Sequence, residues 1–343
     1  MNLGLIIQIV NRLLSSIRVN IGSFGAFLFL TATCSAGVDP AVEQELSSAS
    51  SLVEIRTAAA KPFQLELNFQ AQFNVPQEGH LTMKWVAKDR WWMLITMTDF
   101  RELEVKDGET LYTTRSAPFT PLRIGELHGL LSVLAEPESW QIKKVRHTNQ
   151  GGVTADCLEL RPHSNEGWSS DRQVCINPAT TEVLSDRIKD DREFRTKEFA
   201  DYQPFGSHRY PRQLKLLESS GVVLRAQVVS LQEASFEDSV FAPPAGAIAR
   251  RFCEHMVHPV AIKQPEPRYP KSASENRLGG TVVVALTVQL DGSVNNVQFL
   301  ERAGHEMDEV TQEIVKTWKF RPAMCGNEPV VADISVEMNF RMD

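Results

Sequence analysis

Apolar residues recur along the chain at two spacings, and the switches between them predict its elements. Val42, Leu46, Leu52 and Ile55 follow helical intervals with polar residues between them, which predicts a helix. After Pro62 the period falls to two. Phe63, Leu65, Leu67 and Phe69 alternate with Gln64, Glu66, Asn68 and Gln70, the pattern of a half-buried strand. Leu81, Met83 and Trp85 repeat it, and further strands are predicted at 90–97, 103–105 and 110–113. Asp107-Gly108, between the last two, is a hairpin-turn pair. Residues 124–134 return to helical spacing, with Leu127, Leu130, Leu131 and Leu134 on one face. Strands resume at 140–145, 156–161, 173–176 and 183–188, near 214–217, and at 222–231. The pattern predicts a curved antiparallel sheet wrapped on a helix.

From about residue 250 the pattern is denser. Residues 265–270 carry three prolines, which fix φ and hold their neighbours extended. Residues 271–277 predict a short helix that Gly279-Gly280 ends. Residues 281–288 are rich in β-branched side chains and predict a strand. Asp291-Gly292 turns the chain into a second strand over 294–300. Val310, Ile314 and Val315 lie at helical spacing before Trp318 and Phe320, and Pro322 stops the helix. A long terminal strand is expected over 330–342, with Val331, Ile334, Val336, Met338 and Phe340 in it.

The first 36 residues carry two charges, Arg12 and Arg18, ahead of an apolar run over 21–30 and small residues up to Ala36. This order describes a secretory signal. A retained anchor, a lipid attached at Cys34, and a start later than Met1 are the competing readings. The apolar run is shorter than the roughly 20 residues a membrane-spanning helix needs.

Length and composition narrow the classes. A chain of 343 residues is expected to form about two domains. A net charge of −7 argues against a dedicated nucleic-acid binder. Catalytic signatures such as Gly-x-Ser-x-Gly, His-Glu-x-x-His and the phosphate-binding loop are missing from the sequence, so no enzyme, cofactor or metal is expected. His255 and His258, with Glu254 beside them, have the spacing of a helical metal pair, but Pro259 and the extended context oppose it. The acidic cluster Asp190, Asp191 and Glu193 reads as a solvated turn, and Arg250-Arg251 as a boundary charge pair.

Of five cysteines, Cys157, Cys175, Cys253 and Cys325 lie beyond the export segment. An even number in an exported chain reads as two disulfides. Cys157 and Cys175 flank the polar stretch 163–171, and a cross-strand bond forms if their strands pair. Cys253 and Cys325 flank the last domain, with two buried free thiols as the alternative.

Two resemblances follow. Residues 84–91 (Lys-Trp-x-Ala-Lys-Asp-Arg-Trp) and 105–112 (Val-Lys-Asp-Gly-Glu-Thr-Leu-Tyr) resemble the LolA/LppX half-barrels, which hold acyl chains. That likeness implies lipid contact at Trp85, Trp91 and Trp92, against a reading of these rings as sheet aromatics. Residues 250–343 resemble the TonB C-terminal domain through Tyr269, Pro270, Gly280, Asp291, Gly292, Trp318, Phe320, Pro322 and the closing Asn339-Phe340. The implied function is strand pairing with a protein partner in the cell envelope, an outer-membrane receptor in that family. The edge would comprise Val330, Val331, Ile334, Val336, Met338 and Phe340. The chain departs from an energy transducer in having no long proline-rich spacer and no Ser-x-x-x-His pattern within residues 1–36. The expected class is therefore α+β: an export segment or anchor at 1–36, a LolA-like sheet domain at 39–249 and a TonB-like domain at 250–343. The expected role is a periplasmic or envelope interaction protein that assists outer-membrane transport, with a lipid or lipoprotein carrier as the alternative.

Overall fold

The computed structural model describes residues 5–10, 40–73, 75–134, 139–162, 171–189, 194–253 and 256–341. Residues 11–36 of the expected export segment, the acidic cluster at 190–193, and Glu254 and His255 lie outside the described residues.

The elements begin with β1 (Leu5–Val10), α1 (Pro40–Val53), β2 (Phe63–Ala71), β3 (Gln77–Ala87), β4 (Arg90–Met97), β5 (Arg101–Asp107) and β6 (Thr110–Arg115). There follow α2 (Leu122–Leu130), β7 (Trp140–Gln150), β8 (Val153–Pro162), β9 (Asp171–Ile176), β10 (Val183–Lys189), β11 (Phe194–Phe205), β12 (His208–Glu218) and β13 (Gly221–Glu233). Next come β14 (Ile248–Arg251), β15 (Met256–Val257), β16 (Val260–Lys263), α3 (Lys271–Glu275), β17 (Gly280–Val288) and β18 (Val294–Glu301). The chain ends with α4 (Met307–Val315), β19 (Lys319–Arg321), β20 (Ala323–Cys325), β21 (Glu328–Val330) and β22 (Ala332–Phe340). Among the described residues no helix is long and apolar enough to cross a membrane.

The chain divides into two compact units. The middle unit comprises Val19–Gly108 and Arg123–Ala245; the C-terminal unit comprises Met1–Arg18, Glu109–Leu122 and Gly246–Asp343. Residues 110–115, which the sequence pattern joins to the middle meander, thus count with the C-terminal unit.

The middle unit is one antiparallel sheet in the order β5-β4-β3-β2-β13-β12-β11-β10-β9-β8-β7. Two meanders meet where β2 pairs with β13. Period-two alternation puts Phe63, Leu65, Leu67, Phe69, Leu81, Met83, Trp85, Met93 and Ile95 on one buried face. Leu46, Ala49 and Val53 of α1 and Ile124, Leu127 and Leu130 of α2 are buried with them. The sheet curls around α2. His128 of α2 lies 3.7 Å from Glu102 of β5, while Lys197 of β11 donates to the neighbouring Gly129 carbonyl at 2.8 Å. A flat sheet would hold β5 and β11, six strands apart, roughly 29 Å from one another.

Two elements differ from the sequence expectation here. α2 ends at Leu130, although Leu131 and Leu134 beyond it remain buried. Strand β11 had no sequence signal. Its buried residues are Phe199 and Tyr202, three apart, with Asp201 at φ 55 between them, so burial there does not follow period two.

The C-terminal unit carries a sheet in the order β1-β22-β17-β18. α3 and α4 cover one face, closing on Val282, Val284, Leu286, Val288, Ile334, Val336, Met338 and Phe340. The long terminal strand expected over 330–342 is divided. Gly326, at φ 62, turns the chain so that β21 folds back on β20, and β22 starts afresh at Ala332. On the side of β22 away from this core, Asp333 binds Arg115 of β6 at 3.4 Å and Arg250 of β14 at 2.7 Å. The hydroxyl of Thr287 donates to the same carboxylate at 2.7 Å.

Candidate functional site

The motif residues of the C-terminal unit converge on the seam between helices and sheet. Trp318 is fully buried, and its indole N–H donates to the Pro265 carbonyl at 3.0 Å, tying the proline-rich lead-in to the core. Phe320 lies beside it with ring centroids 6.2 Å apart. Tyr269 meets Phe340 edge-on at 5.6 Å, and its hydroxyl donates to the Leu278 carbonyl at 2.6 Å. Burial raises the pKa of that hydroxyl. Pro270 caps α3 from the N-terminal side. Gly292 at φ 75 is required twice over. A side chain there would be strained by the positive φ, and its Cβ would sit 1.7 Å from the Phe320 carbonyl oxygen. Asp291 accepts from the Ser293 hydroxyl at 2.6 Å and the Ser293 backbone N–H at 2.9 Å, which holds its carboxyl below the usual range. A Cβ on Gly280 would meet the Ala303 Cβ at 2.7 Å. Pro322 lines a groove of about 410 Å³ with Val257, Val260 and Met324. These residues build the module.

The edge residues divide into two groups. Ile334, Val336, Met338 and Phe340 turn their side chains into the core, at 6 % exposure or less. Val330 belongs to β21 and pairs with Ala323, and Val331 falls between β21 and β22. The edge of β22 therefore offers main-chain N–H and C=O groups; on the face away from the core, Asn339 is buried, accepts from Thr281 and donates to Glu337. That edge carries a strand in this structure. Leu5–Val10 runs antiparallel to it, with Leu5 opposite Phe340 and Val10 opposite Ser335. Sequence reading found β22 but not this pairing, because residues 5–10 have an apolar pattern that serves export and strand formation alike.

Both disulfides form, Cys157 to Cys175 and Cys253 to Cys325. Cys157 and Cys175 stand directly opposite one another in paired strands β8 and β9.

The aromatic residues of the middle unit do not gather at one opening. Trp85 is 2 % exposed and stacks on Phe63 at 5.3 Å. Trp91 pairs with Trp85 across β3 and β4 and shares its face. Trp92 is on the other face, where the Lys84 ammonium sits 4.9 Å from its ring. A groove of about 920 Å³ has a mixed lining, with Asn68, Gln70, His80 and Arg225 beside Phe69, Met97 and Leu214.

Comparison with known proteins sets these two units apart. Residues 265–342 match the family described as Gram-negative bacterial TonB protein C-terminal, so the resemblance read from the motif residues holds over this segment. Protein TonB of Vibrio cholerae serotype O1 is 31% identical over 81 residues, which make up 23% of this chain and 33% of that protein. Protein tonB2 of Pseudomonas aeruginosa is 31% identical over 83 residues, 24% of this chain and 31% of that one. The chain thus spans about a third of the length of the curated relatives it matches. Among solved structures, a LolA superfamily protein from Nitrosomonas europaea superposes with a TM-score of 0.40 at 10% identity, over 58% of this chain and 96% of that one. A DUF1329 family protein from Desulfovibrio piger gives 0.43 at 14% identity, over 60% and 98%.

Proposed function

We propose that this chain is an interaction protein of the cell envelope, exported by its N-terminal segment, that binds a protein partner by adding a strand of that partner to the outer edge of β22. The class of partner is an extended segment of an outer-membrane receptor, as the match over residues 265–342 suggests. The observation that supports the reading is the strand Leu5–Val10 lying along Ser335–Phe340, the position an incoming strand would take. Strand addition draws affinity from main-chain hydrogen bonds. This suits an edge whose apolar side chains are already spent on the core. Export with cleavage after Ala36 removes Leu5–Val10 and leaves the edge open to the partner.

Amide hydrogen exchange tests this. Amides 335–340 should exchange faster in the chain that starts at residue 37 than in the whole chain. Adding a synthetic extended segment from an outer-membrane receptor should slow them again. Equal exchange at 335–340 in all three samples would remove the proposal.

A further inference from the structure

We propose that Glu102, Glu104 and His128 form a divalent transition-metal site inside the middle unit, joining α2 to strand β5. Residues i and i+2 of a strand share a face, so Glu102 and Glu104 both point to the side on which α2 lies. His128 reaches the same point from the last turn of α2. One ligand atom from each of the three residues lies within 4.8 Å of the other two.

The spacing is that of ligands. Donors held about 2.1 Å from one metal at neighbouring tetrahedral positions lie roughly 3.4 Å apart. His128 Nε2 and Glu102 Oε1 are 3.7 Å apart, close to that value and too far for a hydrogen bond. His128 Nε2 is buried and has no hydrogen-bond partner, so an imidazole nitrogen is directed at the carboxylates with no bond to satisfy it. Glu102 itself is 1 % exposed, on a face otherwise lined by Met93 and Ile95. Two carboxylates drawn this close repel one another, and a dication between them reverses that term.

The surroundings fit the same assignment. Both carboxylates keep further polar contacts, as ligands with outer-shell support do. Lys106, next on this face, donates its ammonium to the Gly108 carbonyl at 2.6 Å at the turn beyond the strand end. One imidazole and two carboxylates select a borderline metal such as Zn²⁺ over Ca²⁺, which takes six to eight oxygen ligands. Three protein ligands leave a position for water. The site would fix α2 against β5, on the side of the β2–β13 pair opposite the strands that carry the Cys157–Cys175 bond.

The probe is Zn²⁺ titrated into the chelator-treated whole chain. One equivalent should bind and raise the unfolding temperature of the middle unit. Glu104→Gln and His128→Ala should each weaken that binding roughly 100-fold. His147→Ala, which removes an exposed histidine elsewhere in the same unit, should leave it unchanged. X-ray absorption of the zinc-loaded native chain needs no variant and should report one imidazole among oxygen donors. The proposal is overturned if no equivalent binds, if both variants bind as the native chain does, or if the absorption spectrum shows sulfur or several imidazoles around zinc.

Discussion

The two units reach stable cores by different means. In the C-terminal unit a few large side chains meet at one place: Trp318, Phe320, Tyr269 and Phe340, with Gly292 admitting the Phe320 carbonyl at their border. In the middle unit apolar burial is dispersed along a long ladder, and polar groups are folded in with it. Arg172 and Asp186 are buried as a pair at 2.8 Å, and Tyr202 and Tyr210 are buried donating to the Val183 and Leu131 carbonyls. Burial pushes the pKa of both hydroxyls up. Burial also pushes the Lys197 ammonium down, while it donates to the Gly129 and Ser132 carbonyls near the end of α2. A small sheet is specified by fixed bulky residues at fixed points. A long meander is specified by a repeating period that many sequences satisfy.

Substitutions at the centre of each unit should show this contrast with the largest effects. Trp318→Ala should cost about 3–5 kcal/mol, and no smaller apolar replacement should recover it, because the cavity lies in a seam that cannot collapse. Asp186→Ala should cost a similar amount, about 3–5 kcal/mol, by leaving Arg172 buried without its partner. The double change Asp186→Leu with Arg172→Met should recover most of that loss, since both desolvated charges go together. Urea unfolding followed by tryptophan fluorescence and far-ultraviolet circular dichroism measures all three. If the double change is as damaging as the single one, the middle unit depends on that particular pair as closely as the C-terminal unit depends on Trp318.

The disulfides sharpen the comparison at slightly smaller scale. Cys253–Cys325 closes a separation of 72 residues and Cys157–Cys175 one of 18. Chain entropy then assigns about 4 kcal/mol to the first and about 3 kcal/mol to the second. Replacing each pair by alanine and comparing unfolding midpoints should rank them in that order. The reverse order would mean that the packing of Cys157 and Cys175 beside Ala155 and Leu184 outweighs the loop term.

The same contrast explains what was legible in the sequence. The order of elements from α3 to β22 followed from turn residues and period, since Asp291-Gly292 and Gly279-Gly280 mark their positions by chemistry no other pair supplies as well. The first meander was legible from β2 to β4 because its buried residues alternate there. Strand β11 was hidden because its burial does not follow period two. The curl of the sheet around a helix was expected from the run of strands, but not which strands reach α2: Lys197 and Glu102 come to it from strands far apart in sequence. The edge position of β22 could be read, but the strand that covers it could not, because period alone does not name a partner. The cluster of Glu102, Glu104 and His128 had no signal in spacing, as α2 brings its histidine from another element.

The smallest expected effects have opposite signs in the two units, and pH separates them. Asp291 in the C-terminal unit is held below its ordinary value of 3.8, first by the Ser293 hydroxyl and then by the Ser293 N–H. Its contribution to stability is fully present above pH 3.8 and is lost as pH falls through the lowered folded value. His147 in the middle unit is held above its ordinary value of 6.5, first by its hydrogen bond to Asp156 at 2.7 Å and then by that carboxylate's charge. Its contribution is fully present below pH 6.5 and disappears as pH rises through the raised folded value. Both groups are fully exposed, so the shifts in midpoint should be small and should shrink further in salt. Asp291→Asn should therefore flatten the acid limb of the C-terminal unit's unfolding curve below pH 3.8 and leave its limb above pH 6 unchanged. His147→Gln should flatten the middle unit's curve above pH 6.5 and leave its acid limb unchanged. A change in the same limb for both variants would show that one unit's charges set the other's stability, and the separation drawn here between them would not hold.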